Sequence, residues 1–155
     1  MNSLGLHSDK AHQLAGRLNA LLANYQMFYQ NLHGFHWNIE GNSFFELHTK
    51  FEELYTQATL SVDEIAERIL TLEGTPLHTF EDYISNSTIK AAKGLKTAQE
   101  TVSTTVDNLS TPVATEREIL DLAGAAGDEG TDSLMSDYIR EKEKTIWMLR
   151  SYLGK

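Results

Sequence analysis

The sequence predicts an all-α fold built from four long helices. Apolar residues recur at helical spacing along most of the chain, only two prolines interrupt it, and glycine-containing breaks separate the periodic segments. With 155 residues, the chain is expected to form a single domain spanning 1–155, with a core large enough to need no covalent cross-links.

The first helix is predicted to begin near Ser8, whose hydroxyl can cap it, and to end at Gly41-Asn42. One face carries an apolar stripe at spacings of 4 and 3, formed by Leu14, Leu18, Leu21, Tyr25, Phe28 and Leu32. His36 continues that stripe. A histidine there is either a hydrogen-bonded core residue or a metal ligand, and the spacing alone leaves both open.

The second helix is predicted to restart at Ser43, where Ser43 and Glu46 have the spacing of a capping box. It should run to about Glu73, before the strong stop Gly74-Thr75-Pro76. Its core stripe comprises Leu47, Phe51, Leu54, Ala58, Val62, Ile65, Ile69 and Leu72. Segment 75–96 is mixed in composition, and "TFEDYIS" within it predicts one short helix.

A third helix is predicted over roughly 97–126, with Pro112 either kinking it or marking a restart. The stretch "GAAGDEGTD" at 124–132 is typical of a turn, and a fourth helix should run from about Thr131 to Tyr152. Four long helices, with a short helix in the long connection between the second and third, indicate a ferritin-like four-helix bundle.

The composition limits the possible functions. There are 22 Asp and Glu against 13 Lys and Arg, and the formal net charge of −9 repels phosphate backbones and attracts cations, or simply keeps the protein in solution. The lack of cysteine excludes disulfides and thiolate metal sites. Neither a secretory signal nor a membrane-spanning apolar run is evident, so we expect a cytoplasmic protein with no membrane partner.

Four side chains that can bind metal share one arc of the second helix. With His48 at 0°, Glu52 falls at about 40°, Asp63 at about 60° and Glu67 at about 100°. One imidazole and three carboxylates suit iron, manganese or zinc. Acidic pairs at this spacing also occur on ordinary solvated helix faces, so the pattern alone leaves both interpretations open.

The rise of the helix separates these side chains into two pairs. His48 and Asp63 are 15 residues apart, or roughly 22 Å along a straight helix, so one ion cannot contact both pairs of the same chain. An antiparallel two-fold contact between second helices would bring His48 and Glu52 of one subunit against Asp63 and Glu67 of its mate. Two equivalent sites per dimer would result.

Residues 33–70, "HGFHWNIEGNSFFELHTKFEELYTQATLSVDEIAERIL", resemble the core signature of the Dps family, mini-ferritins named as DNA-binding proteins from starved cells. The ending "GDEGTDSLMSDYIREKEKTIWMLRSYLGK" is similar to that family's last helix. The resemblance implies a dodecamer built from two-fold dimers, which forms a hollow iron-storage shell. Such a ferroxidase oxidises Fe(II), typically with hydrogen peroxide or else with O2, stores the ferric product and limits oxidative damage.

The resemblance also implies which residues form the site. His36 and His48 of one subunit would bind the metal with Asp63 and Glu67 of the other. The family usually has Asp where this chain has Glu52, so that carboxylate is kept but extended by one methylene. Direct ligation, ligation through water and a role as a hydrogen-bonding partner stay open for Glu52.

Further expectations concern the surroundings of the site. Trp37 occupies the position of a site-proximal tryptophan, and it can equally serve packing. The family's acidic pores lie near the start of the last helix, where this chain has Asp128, Glu129 and Asp132; these residues can instead cap that helix and complement its dipole. Iron is the expected metal, with up to two ions per inter-subunit site, and zinc is the expected substitute.

Three alternatives differ from this interpretation. An intrachain site of the ordinary ferritin type is disfavoured because the chain has no Glu-x-x-His motif, and His33 is interpreted as a surface or interface residue. DNA condensation is a competing function, but only Lys10 precedes the first helix and Lys155 stands alone at the end, so strong direct DNA binding is not expected. A shell that binds metal without turnover is the third.

Overall fold

The computed structural model describes residues 1–155 and contains five helices and no strands. These are α1 (Ser8–Asn38), α2 (Phe44–Thr71), α3 (Phe80–Asn86), α4 (Ala98–Ala126) and α5 (Glu129–Tyr152). The prediction of four long helices with a short helix between the second and third is therefore confirmed. None of the helices is both long and apolar enough to cross a membrane.

The helices pack in a bundle around the predicted apolar stripes. α1 packs along α2 and α4, α4 packs along α5, and α3 lies against α1. The seam between α2 and α5 has few close backbone approaches, and side chains such as Gln57, which donates to Glu141 at 2.9 Å, bridge it instead. The largest fully buried side chains are Leu14, Leu18, Leu21, Leu22, Leu32, Phe35, Phe51, Ile65, Ile69, Leu72, Ile119 and Met135.

Several helix ends differ from the prediction. His7, not Ser8, occupies the N-cap of α1, and the helix ends at Asn38, before the predicted Gly41-Asn42. The capping box predicted at Ser43 is absent: the backbone of Ser43 has φ −96° and ψ 17° rather than the extended conformation of a capping residue, and its hydroxyl accepts from Tyr152 at 2.8 Å instead. The chain's capping box lies at the start of α4, between Thr97 and Glu100.

The later boundaries follow from local backbone requirements. α2 ends at Thr71, two residues earlier than predicted, and Glu73 turns the chain with a left-handed φ of 66°. α4 runs without interruption through Pro112 and ends at Gly127, whose φ of 71° suits a helix C-cap. α5 begins at Glu129 rather than Thr131 because Asp128 supplies the cap.

Candidate metal centre

His36 of α1 and His48 of α2 lie face to face where the two helices pack. Their ring centroids are 3.7 Å apart and the planes differ by 12°. The Nδ1 atom of His36 lies 2.7 Å from the backbone carbonyl of His48, and the Nδ1 atom of His48 lies 2.7 Å from the backbone carbonyl of His36. The two side chains thus hold each other in place.

This reciprocal pairing fixes the proton on each ring. A carbonyl oxygen only accepts hydrogen bonds, so Nδ1 of both His36 and His48 must donate a proton. In its neutral form, each ring held in this way keeps its lone pair on Nε2, which is the atom that would ligate a metal. His36 is buried and His48 is half-buried, so the protein constrains their orientation.

The carboxylates of the predicted arc lie elsewhere on α2. Glu52, Asp63 and Glu67 are all exposed, and none makes an ion pair within the chain. No group of three or more histidine, aspartate or glutamate side chains within one chain is arranged to hold a metal ion. The structure therefore brings together the two histidines but not the complete predicted ligand set.

An aromatic cluster that the sequence reasoning did not single out flanks the histidine pair. The ring of Tyr55 lies 5.4 Å from that of His36, edge to face, and 4.0 Å from that of His33. His33 also contacts Tyr29 and the exposed Trp37, with ring centroids 4.6 and 4.8 Å away. Tyr55 follows His48 by seven residues, so helical spacing could have placed it on this face.

The cluster alters the titration of two of its members. Burial, and then the charge of His36, lower the pKa of His33, which favours a neutral imidazole. The Nε2 atom of His33 is buried without a hydrogen-bond partner. Burial raises the pKa of the Tyr55 phenol, with further contributions from Glu52 and Tyr29. His33 thus belongs to the packing around the site rather than to an open surface.

The acidic residues at the start of α5 have different environments. The carboxylate of Asp128 is buried, accepts from the backbone N–H of Thr131 at 3.1 Å and pairs with Arg68 at 2.5 Å. Asp128 therefore acts as the helix cap, the second of its two predicted roles. Glu129 is exposed and Asp132 is half-exposed, so both are available to solvent in the first turn.

Comparison with known proteins places the chain in a class defined by this bundle. A family model for the ferritin-like domain matches residues 15–155. A Dps protein from Vibrio cholerae O1, described as a member of a broad superfamily of ferritin-like diiron-carboxylate proteins, superposes with a TM-score of 0.97 at 50% identity. That match covers 99% of this chain and 96% of the other. The ferritin-like fold predicted from the sequence is confirmed.

The relatives also define the group within that class. A DNA protection during starvation protein from Porphyromonas gingivalis is 40% identical over 151 residues, covering 97% of this chain and 95% of the relative. The Dps of Listeria innocua, solved after soaking with zinc, has a TM-score of 0.88 at 30% identity and covers 92% of this chain and 97% of the other. The chain belongs to the Dps family, as its resemblance predicted.

Proposed function

We propose that this protein is an iron-storage ferroxidase whose sites form between two-fold-related subunits. In each site His36 and His48 of one subunit bind Fe(II) together with Asp63 and Glu67 of the other, and Glu52 lies beside them. The observation that carries the proposal is the reciprocal pairing of the two imidazoles, which engages both Nδ1 atoms and leaves both Nε2 atoms available to a metal. Soaking of a relative with zinc supports zinc as a substitute ion.

The division of the site between subunits is supported by distances along α2. The carboxylate pair lies roughly 22 Å along the helix from His48, so a single chain cannot close the ligand sphere. A two-fold axis beside α2 would bring the carboxylates of each subunit to the histidines of the other, which gives two equivalent sites per dimer. The exposed arc of Glu52, Asp63 and Glu67 meets the requirement that these side chains remain free to face another chain.

The chemistry follows from the ligand types. Carboxylates stabilise Fe(III) more than Fe(II), so the site favours oxidation of its substrate. Hydrogen peroxide accepts two electrons, one from each of two Fe(II) ions, and with two protons yields two water molecules. The ferric product would be stored inside a dodecameric shell, which limits oxidative damage; O2 is the alternative oxidant. Exposed Glu129 and half-exposed Asp132 are proposed to attract Fe(II) at an entry pore.

Subunit mixing tests the divided site directly. One variant lacks His36 and His48, and the other lacks Asp63 and Glu67, all replaced by Ala. Each shell alone should lose rapid Fe(II) oxidation in stopped-flow absorbance with peroxide. After dissociation and random reassembly, half of the dimers are mixed and each contains one intact site of two, so about one quarter of the wild-type rate should return.

The controls distinguish the competing interpretations. Replacing the exposed His12 of α1 by Ala should leave oxidation unchanged. If the mixed shells regain no activity while the unmixed ones are inactive and assembled, the site is not shared between subunits. Metal binding by the wild-type shell without oxidation faster than in buffer would support the non-catalytic shell instead.

DNA binding is disfavoured by the ordered N-terminal segment. The backbone N–H of Ser3 donates to Glu73 at 3.0 Å, and the ammonium of Lys10 donates to the carbonyl of Ala125 at 2.5 Å. Lys10, in the first turn of α1, is thus engaged with the end of α4 rather than free to contact phosphate groups. A gel-shift at low salt should show no tight complex with the purified shell near neutral pH.

A further inference from the structure

The middle of the bundle contains a polar cluster to which every long helix contributes. Tyr25 comes from α1, Glu116 from α4, and Tyr138 and Lys142 from α5, while the backbone carbonyl of Ser61 in α2 accepts from Tyr138 at 3.4 Å. The Tyr25 hydroxyl donates to Oε1 of Glu116 at 2.8 Å. Glu116 is 0% exposed and Lys142 is 8% exposed, so the cluster is shielded from solvent.

The ammonium group of Lys142 is at the centre of this cluster. Its Nζ atom lies 2.8 Å from Oε1 of Glu116 and donates to the Tyr25 hydroxyl. It also lies 4.5 Å from the ring centroid of Tyr25 and 4.9 Å from that of Tyr138. A carboxylate and two aromatic faces are the environment that binds a cation in a protein interior.

The titration of the pair balances two effects. Burial raises the pKa of Glu116 to about 9 and lowers the pKa of Lys142 to about 7. Their direct contact favours the charged form of both groups and so opposes the effect of burial on both pKa values. The contacts of the ammonium with two aromatic rings also favour its charged form. The geometry therefore supports an ion pair between Lys142 and Glu116.

One oxygen of Glu116 is left without a partner. Its Oε2 atom is buried and accepts no hydrogen bond, although buried carboxylate oxygens are normally satisfied. Ferritin-like di-iron proteins hold their metal in the core of the bundle, with carboxylates projecting inward from facing helices. Glu116 therefore has both the position and the unused oxygen of a metal ligand, but its counter-ion is the chain's own Lys142.

We infer that Lys142 is a built-in cation that takes the place of a metal ion inside the bundle and so keeps the bundle interior from binding metal. The ammonium neutralises the buried carboxylate of Glu116, so that carboxylate exerts little attraction on a divalent ion. The Nζ atom lies 2.8 Å from Oε1 of Glu116 and blocks the approach of an ion to that oxygen. The inference concerns the bundle interior and does not depend on the proposed ferroxidase site.

The test is to replace Lys142→Glu in a shell from which His36, His48 and Asp63 have been removed by Ala substitution. Two buried carboxylates on facing helices then bind an oxygen-preferring ion. The probe is Tb(III), whose luminescence is excited by nearby tyrosines such as Tyr25. We expect one additional Tb(III) per chain and a several-fold rise in tyrosine-sensitised emission.

Matched variants isolate the interior site. Lys144→Glu makes the same change of charge at an exposed position of α5 and should add no such emission. Adding Glu116→Gln to the Lys142→Glu variant should remove the gain. Equal binding of Tb(III) by the Lys142→Glu and Lys144→Glu variants would overturn the inference. The same tyrosine-sensitised emission in the parent shell, which keeps Lys142, would also overturn it.

A second measurement tests whether Glu116 is charged, and it does not require the Lys142→Glu variant to fold. The infrared difference between the unsubstituted chain and its Glu116→Gln variant reports the charge of Glu116 at pH 7. Loss of a carboxylate band on substitution supports the ion pair with Lys142. Loss of a protonated carboxyl band means that no cation is held there, and it refutes the inference.

Discussion

Replacing Arg68→Met should destabilise the chain by about 2–3 kcal/mol, because Arg68 neutralises a buried carboxylate. Its Nη2 atom lies 2.5 Å from Asp128, and its Nε atom donates to the Thr131 hydroxyl at 2.9 Å. The two charged side chains are 20% and 3% exposed. Breaking a buried pair costs about 3–5 kcal/mol, and Arg68's partial exposure together with the hydrogen bonds that Asp128 keeps from Thr131 reduces that cost.

Urea denaturation at a fixed subunit concentration measures this loss, because oligomer stability depends on concentration. Arg140→Met is the control: its pair with Asp137 is 74% and 56% exposed, so it should contribute about 0.5 kcal/mol or less. A Cβ atom at Gly130 would lie 2.8 Å from Nη1 of Arg68, so Gly130→Ala should also destabilise by displacing the guanidinium. Equal losses for Arg68→Met and Arg140→Met would refute the reasoning.

Three further outcomes are expected. Thr97→Ala should cost about 1 kcal/mol in thermal or urea unfolding because it removes a formed capping box; a change within error would contradict this. Ser43→Ala should cost less than the Thr97 variant, since the Ser43 hydroxyl serves Tyr152 rather than the helix. Hydrogen bonds from Ser3 lower the pKa of Glu73. Their contribution is therefore present above the ordinary pKa of 4.5 and is lost as the pH falls through the lower folded value. The protection of the Ser3 amide from exchange, measured against its intrinsic rate at each pH, should fall in that acidic range, and a Glu73→Gln variant should show no such pH dependence.

Local sequence patterns predicted the helices well but not all of their ends. The spacing of a capping box occurs both at Ser43 with Glu46 and at Thr97 with Glu100, yet only the second forms. At Ser43 the backbone is not extended, and the hydroxyl accepts instead from Tyr152, near the other end of the chain. A contact between residues 109 positions apart cannot be predicted from the local sequence pattern.

The candidate site shows a similar division. The stripe of α1 predicted that His36 faces the interior, and the structure places it against His48. The proposed partnership of Asp63 and Glu67 with those histidines would involve a second chain, and the spacing of residues along one helix does not specify how two chains meet. The Glu116–Lys142 pair was missed because both residues are of types that usually lie on the surface, and 26 positions separate them.

The reciprocal pairing of His36 and His48 makes the two residues one mutational unit. Removing either ring deprives the other residue's backbone carbonyl of its donor and leaves the remaining ring without its stacking partner. The first substitution therefore already disrupts what the second would remove, so the two losses should be strongly non-additive. Each histidine is therefore held in its orientation only while the other is present.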